Sequence, residues 1–205
     1  YDYFGLEAVS AKSITDAFPE DNSDIVLEVN SNGGLVTVGS EIYTALKSYP
    51  GHVAVEVTGM AASAASVAIM GADKVLISPT AQIMIHKALY GFVSGNSDDL
   101  DKASNALKSS DQAIVNAYVA KTGLEESVII DMMRNETFMS ASEAVEKGFA
   151  DEVMTFDDVG AVASLGDGLL PQAVIDDFYA NRSKRKSEIQ NMLREIEKEE
   201  LLRGL

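Results

Sequence analysis

Apolar and polar positions along the chain switch between two periods, and the switching predicts an order of elements. Ile25-Val26-Leu27-Glu28-Val29 is a nearly continuous apolar run, expected of a strand covered on both faces of a parallel sheet. Val38 to Tyr49 instead spaces its apolar residues at 38, 42, 45 and 46, a helical period that ends at Pro50. Val53 to Val57 reads as a second buried strand, stopping at Gly59. The small residues from Met60 to Ser66 lead into Val67-Ala68-Ile69-Met70, which predicts a short helix over 64–71. Strands over Lys74–Ile77 and Gln82–Ile85 follow, separated by a turn at Pro79. Ahead of all these, Ser10 caps a helix with apolar positions at 14, 17 and 18 that Pro19 closes.

Beyond the glycine-punctuated stretch Leu89 to Asn96, a stripe of Leu100, Ala103, Leu107, Ile114, Ala117 and Tyr118 predicts a helix from Asp98 to Lys121. It would be ~36 Å long at 1.5 Å per residue, long enough to need either the core or a neighbouring subunit to pack on. A helix over Glu125–Arg134, an extended segment Glu136–Met139 and a helix from Ser140 or Ser142 to Lys147 lead to Gly148-Phe149-Ala150-Asp151. Strands alternating with helices through short connections argue an α/β fold with a mostly parallel sheet and a site at the carboxyl ends of its strands. From Thr155 the pattern decays into Asp and Gly, and Leu169 to Leu202 reads as a charged helical tail. The expected division is a domain over 1–157 and a connector with tail over 158–205.

Composition narrows the functions open to this fold. The 205 residues, 46% of them hydrophobic, supply one well-buried domain. With no cysteine, disulfides, thiolate metal sites and cysteine nucleophiles are excluded together. No apolar run reaches the ~18 to 20 residues of a membrane span, and no secretory signal is visible, so a cytoplasmic location is expected. The net charge of −16 is uneven: residues 1–180 carry 9 Lys and Arg against 27 Asp and Glu. Such a body repels nucleic acid and anionic membranes, and neither is expected as a partner. The basic run Arg182, Lys184, Arg185, Lys186 reads as a solvated helix face.

Two histidines limit the chemistry further. His52 falls in the polar turn Pro50-Gly51-His52, whereas His86 closes the apolar run Ile83-Met84-Ile85 at the carboxyl end of a strand. Ser63, at the turn between the second strand and the short helix, is placed on the same rim. A serine needs an adjacent base to be nucleophilic at neutral pH, and His86 is the base in reach. A third, acidic member should orient the imidazole. Asp151, after the turn Gly148-Phe149-Ala150, and Glu136 both qualify, and spacing alone does not separate them.

Four stretches together carry a resemblance: Asn30-Ser31-Asn32-Gly33-Gly34, Gly59-Met60-Ala61-Ala62-Ser63, Met84-Ile85-His86, and Phe138 to Val145 running on to Gly148-Phe149-Ala150-Asp151. In this order they resemble the proteolytic subunit family of the Clp protease (ClpP), over about residues 3 to 155. The run Ala61 to Ser66 resembles more closely still the ClpP-like head-maturation proteases of tailed phages and prophages. The resemblance implies a ClpP/crotonase-like fold with a long protruding helix at an oligomer interface. It implies Ser63 as nucleophile, His86 as general base and acid, and Asp151 as the orienting carboxylate. It further implies an oxyanion hole of the Gly33 and Ala64 N–H groups, and an extended substrate paired along Gly34, Leu35 and Val36 and along Lys87 and Ala88.

The activity so implied is serine endopeptidase, without metal or cofactor, in six- or seven-membered rings, doubled, acting on a polypeptide such as a capsid or scaffold protein. Asn32 stands where the family usually has proline, and no counterpart of the family's amino-terminal docking loop is evident before Tyr1. A chamber fed by a AAA+ unfoldase is therefore the alternative reading. A crotonase-type acyl-CoA enzyme, which shares the superfold but generally works with acidic residues, is a further one.

Overall fold

Residues 9–156 are described in a computed structural model; the connector and tail expected from 158 onward lie outside them. The chain order is α1 (Ala11–Thr15), β1 (Ile25–Ser31), α2 (Val36–Ser48), β2 (Val53–Ala62), α3 (Ala64–Ile69), β3 (Lys74–Ile77) and β4 (Gln82–Ile85). It continues with α4 (Ser97–Thr122), α5 (Glu126–Arg134), β5 (Thr137–Ser140), α6 (Ala141–Glu146) and β6 (Glu152–Val153). The expected α/β architecture with a mostly parallel sheet is what forms. Six strands make one sheet in the order β5-β4-β2-β3-β6, with β1 also on β2, and only the β4/β5 pair is antiparallel.

β2 is the strand that positions the site. Its first half pairs with β1 and with β3, Val55 lying opposite both Leu27 and Val75, and Val53, Val55 and Val57 are fully buried. Each such side chain contributes ~1.5 to 3 kcal/mol relative to exposure, so this half is an anchor. The strand does not stop at Gly59, as its sequence suggests. It runs on to Ala62, and its second half pairs with β4 through Met60–Gln82, Ala61–Ile83 and Ala62–Met84. The register against β1 shifts between Val29 and Ser31, and Asn30 fills the irregularity, its Oδ1 accepting the Met60 N–H at 3.2 Å.

Two expectations need correction. β1 is not covered on both faces: its burial alternates along the strand, and Val26, 63% exposed, and Glu28 share the face on which no described element covers them. The long helix packs on the core along only part of its length. Its buried residues, Ile114, Val115, Ala117 and Tyr118, all lie in the carboxyl-terminal half, and residues 97–110 bury none.

The helix ends follow local chemistry. Asn96 caps α4 in a reciprocal box with Asp99, and Gly123 (φ 70°) ends it in a left-handed turn. Ser140 caps α6, and hydrogen bonds from its Oγ and its N–H hold the Glu143 carboxyl below its ordinary pKa. No helix among the described residues is long and apolar enough to cross a membrane.

Candidate active site

The site begins where β2 ends. Ser63 continues the parallel ladder, its N–H donating to Met84 O at 2.9 Å, but its φ of 55° and ψ of −124° break the strand abruptly. A non-glycine residue in that conformation costs ~1 to 3 kcal/mol and persists where its surroundings over-determine it. Here the Ser63 carbonyl accepts three hydrogen bonds: from Ser66 N at 3.0 Å, Val67 N at 3.3 Å and Ser66 Oγ at 2.6 Å. The turn aims the half-buried Ser63 side chain out of the sheet.

His86 comes from the neighbouring strand. Along β4 the buried residues are Ile83 and Ile85, so alternation turns Met84 and His86 to the other face. Ala62 lies opposite Met84, which brings the residues just beyond the two strand ends together. The outcome is a His86 Nε2 to Ser63 Oγ distance of 2.7 Å, a hydrogen bond between base and nucleophile. His52 is at the far end of β2, 3.5 Å from Asp73, as a turn residue should be.

The glycine loop closes over the same turn. Gly33 has φ 95°, and a Cβ there would stand 2.6 Å from Ala62 O, 2.8 Å from Ser63 Cβ and 3.0 Å from Ala64 N. Only glycine allows this approach. The Gly33 N–H, however, is occupied by Ser31 Oγ at 3.2 Å, whereas Gly34 lines the cavity beside Ser63. The Ala64 and Ala65 N–H groups lie in the first turn of α3, where no intrahelical acceptor reaches them, and none is found among the described residues.

The cavity itself has a volume of about 140 Å³ and is walled by Val36, Val67, Ile114 and Tyr118, with Lys87, Ala88 and Leu89 along one side. Of the expected substrate positions, Gly34, Val36, Lys87 and Ala88 border it; Leu35 does not, being 56% exposed at the start of α2. The Ala88 N–H is already committed to Asp111 Oδ1 at 2.8 Å, and Lys87 Nζ to Asp111 Oδ2 at 2.9 Å, so α4 holds this side in place. A second hollow of about 150 Å³, shared by Lys87, Lys108, Asp111 and Met133, has neither serine nor histidine in its wall.

Asp151 is not at this site. Its Oδ2 accepts the Val75 N–H at 2.6 Å and pairs with Lys121 Nζ at 2.7 Å. Val75 lies opposite Val55, eight residues before Ser63, or ~26 Å of strand length at 3.3 Å per residue. The expected rim position fails because β6 runs parallel to β3, which puts the residue before Glu152 at the amino edge of the sheet. The other acid left open by the spacing, Glu136, is the exposed turn residue that immediately precedes β5. The β4/β5 ladder ends at Ile85 opposite Thr137, so His86 and Glu136 are the residues that leave the two strands at that same end, Glu136 in a turn with φ 48°.

Sequence reasoning also missed Ser66 and Tyr118 as parts of this site. Ser66 Oγ and Tyr118 Oη are 2.8 Å apart and buried, and burial pushes the Tyr118 hydroxyl well above its ordinary pKa. Ser66 stands three residues after Ser63, and Tyr118 lies on the helical stripe, where it passes for core.

Comparison with known proteins bears on the family of the chain. A protein-family model described as Clp protease matches residues 12–157. The ATP-dependent Clp protease proteolytic subunit 1 of Chlamydia trachomatis serovar D is 32% identical over 168 residues, covering 76% of this chain and 88% of its own. The ATP-dependent Clp protease proteolytic subunits of Glycine max and Nuphar advena are 33% and 34% identical over 136 and 137 residues, covering 65% of this chain and 69% and 68% of theirs.

Proposed function

The chain belongs to the Clp protease family, and from that premise we propose a serine endopeptidase in which Ser63 is the nucleophile and His86 the general base. Family membership sets the acyl-CoA alternative aside. The observation that carries the reading is the 2.7 Å contact between Ser63 Oγ and His86 Nε2, on a turn where Ser63 has φ 55°.

Ser63 Oγ attacks the scissile carbonyl carbon while its proton passes to His86 Nε2. The carbonyl oxygen becomes an oxyanion, which the N–H groups of Gly34 and Ala64 receive. In this assignment Gly34 replaces Gly33, whose N–H already has an acceptor. His86 then gives the proton to the leaving amine, and water repeats the sequence to release the acyl group. For Nε2 to accept, Nδ1 must carry the other proton and needs a carboxylate to hold it. Glu136 takes that role instead of Asp151, supported by its place next to Thr137, the partner of Ile85 at the end of β4, and by the prior engagement of Asp151 with Lys121.

The substrate is an extended polypeptide, and the enzyme works as a ring oligomer. The absence of buried residues over 97–110 and the exposed Leu89, Tyr90, Phe92 and Leu100 support an interface there. The alanine-rich run at Ser63 favours processing of a capsid or scaffold protein. The names of the relatives favour a second reading, in which an ATP-driven unfoldase feeds the chamber; stimulated degradation of a folded substrate on adding such an unfoldase and ATP would select it. The primary test is labelling by a fluorophosphonate probe. Wild type should be modified on Ser63 and a Ser63→Ala variant not at all, and an assembled wild type that resists labelling refutes the peptidase.

A further inference from the structure

Ser66 is fully buried and Tyr118 is 1% exposed, and their hydroxyls form a chain that ends on the nucleophile's own backbone. A serine hydroxyl has one proton. Ser66 spends it on the Ser63 carbonyl, at 2.6 Å, so across the 2.8 Å contact the donor must be Tyr118. The sequence is therefore Tyr118 O–H to Ser66 O–H to O=C of Ser63. The carbonyl at its end belongs to the peptide group whose nitrogen is Ala64 N. That group is planar and trans, so its C=O and N–H point in opposite directions, and whatever fixes one aims the other. Ala64 N lies on the glycine-loop side, 3.0 Å from where a Gly33 Cβ would be.

We propose that Ser66 and Tyr118 are positioning residues for the oxyanion: they hold and polarise the Ser63–Ala64 peptide, so that its N–H is a stronger and better-aimed donor to the developing charge. This rests on the peptidase reading above. Hydrogen bonding into an amide carbonyl draws electron density from the nitrogen and strengthens the N–H as a donor, and successive bonds reinforce one another. The relay also fastens the strained ψ of Ser63, and it ties the nucleophile's turn to α4, which forms the opposite wall of the cavity. Because the Tyr118 hydroxyl is pushed well above its ordinary pKa, the chain stays fully protonated across the range in which His86 acts as a base.

If these hydroxyls only satisfied each other in the core, their effects on rate would follow their effects on stability. The test separates the two. The full chain is prepared as wild type, Ser66→Ala, Tyr118→Phe and the double variant, and each is measured for thermal stability and for the second-order rate and pH dependence of fluorophosphonate labelling. Losing an oxyanion donor outright costs ~100- to 1000-fold, so weakening one should slow labelling roughly tenfold in Ser66→Ala and about threefold in Tyr118→Phe.

The double variant should be no slower than Ser66→Ala, since Tyr118 acts through Ser66. It should nevertheless be more stable than Ser66→Ala, because it leaves no orphaned buried hydroxyl. The pH midpoint of labelling should be unchanged throughout. Recovery of rate along with stability in the double variant overturns the proposal, as does a shifted midpoint or a Ser66→Ala protein that labels at the wild-type rate. If Ser66→Ala does not fold, Tyr118→Phe decides alone: unchanged labelling refutes the relay. Failure of wild type to label refutes the peptidase reading instead, so the two failures are distinct.

Discussion

The two ends of β2 both gather polar side chains, but they are built to opposite purposes. At the amino end Asp151 takes the Val75 N–H and the Lys121 ammonium on one oxygen, and Lys74 pairs with Glu152 at 2.9 Å beside it. Neither Asp151 nor Lys121 has a strained backbone, and each polar group has its partner. At the carboxyl end, Gly33, Ser63 and Glu136 all have positive φ, and the Ala64 and Ala65 N–H groups have no acceptor among the described residues. Positive φ is not confined to that end, since Asn22 beside Gly51 has φ 56°, but the unsatisfied donors stand next to the Ser63 cavity where a ligand can use them, and the buried valines lie between the two ends. An acid found near a glycine turn thus means little until it is known which end it occupies.

The comparison breaks most sharply on its two carboxylates. Glu136→Gln should lower kcat by ~10³- to 10⁴-fold with little change in Tm, because an amide in place of the carboxylate no longer favours the imidazole tautomer that can accept from Ser63. Asp151→Asn should do the reverse. Lys121 is only 11% exposed and would lose its counter-charge, so stability should fall by ~1 to 3 kcal/mol while peptide or probe turnover at permissive temperature stays near wild type. Parallel kinetics and thermal melts of the two variants check this. Equal kinetic losses, or a kinetic loss confined to Asp151→Asn, would return the orienting role to the amino end.

Gly33→Ala tests how tightly the carboxyl end is assembled. The new methyl must displace backbone at Ala62 and Ala64, and the positive φ adds ~1 to 2 kcal/mol of strain. Labelling of Ser63 should slow ~100-fold or more, as the loop and its Gly34 amide are pushed off the turn. A variant that labels within a few-fold of wild type would mean that the close approach of the two backbones is unnecessary.

How much of this was legible beforehand follows the range of the forces involved. Ser63 and His86 could be read because each lies at a strand end marked by its own local pattern, a β-branched run giving way to small residues and an apolar run closing on histidine. The stop at Gly123 was equally local, while the cap of α6 was narrowed only to Ser140 or Ser142. What could not be read depended on register. Which of Glu136 and Asp151 lies toward the carboxyl end of β4 is decided by β5 running antiparallel to β4 while β6 runs parallel to β3, a choice that no short window contains. Val26 misled for a similar reason, since its exposure reflects which face of β1 is left uncovered. Tyr118 was hidden by being apolar in bulk: only the 2.8 Å contact with Ser66, 52 residues away in the chain, reveals the use of its hydroxyl.

The smallest effect concerns that hydroxyl and sharpens the comparison by pH. Burial raises the Tyr118 pKa in the folded chain above its ordinary value of 10.0, so the folded state retains a proton that the unfolded state releases. A raised folded pKa gives stability that is fully present below the unfolded value and lost as pH rises above it. The stability difference between wild type and Tyr118→Phe should therefore be flat up to about pH 10 and then shrink by ~1.4 kcal/mol per pH unit. Urea midpoints of the two proteins between about pH 8 and 11 measure it. Every other group is common to both proteins and drops out of the difference. Curves that stay parallel to pH 11 would mean that the Tyr118 hydroxyl reaches water, and that the carboxyl end of β2 is less sealed behind the nucleophile than its burial indicates.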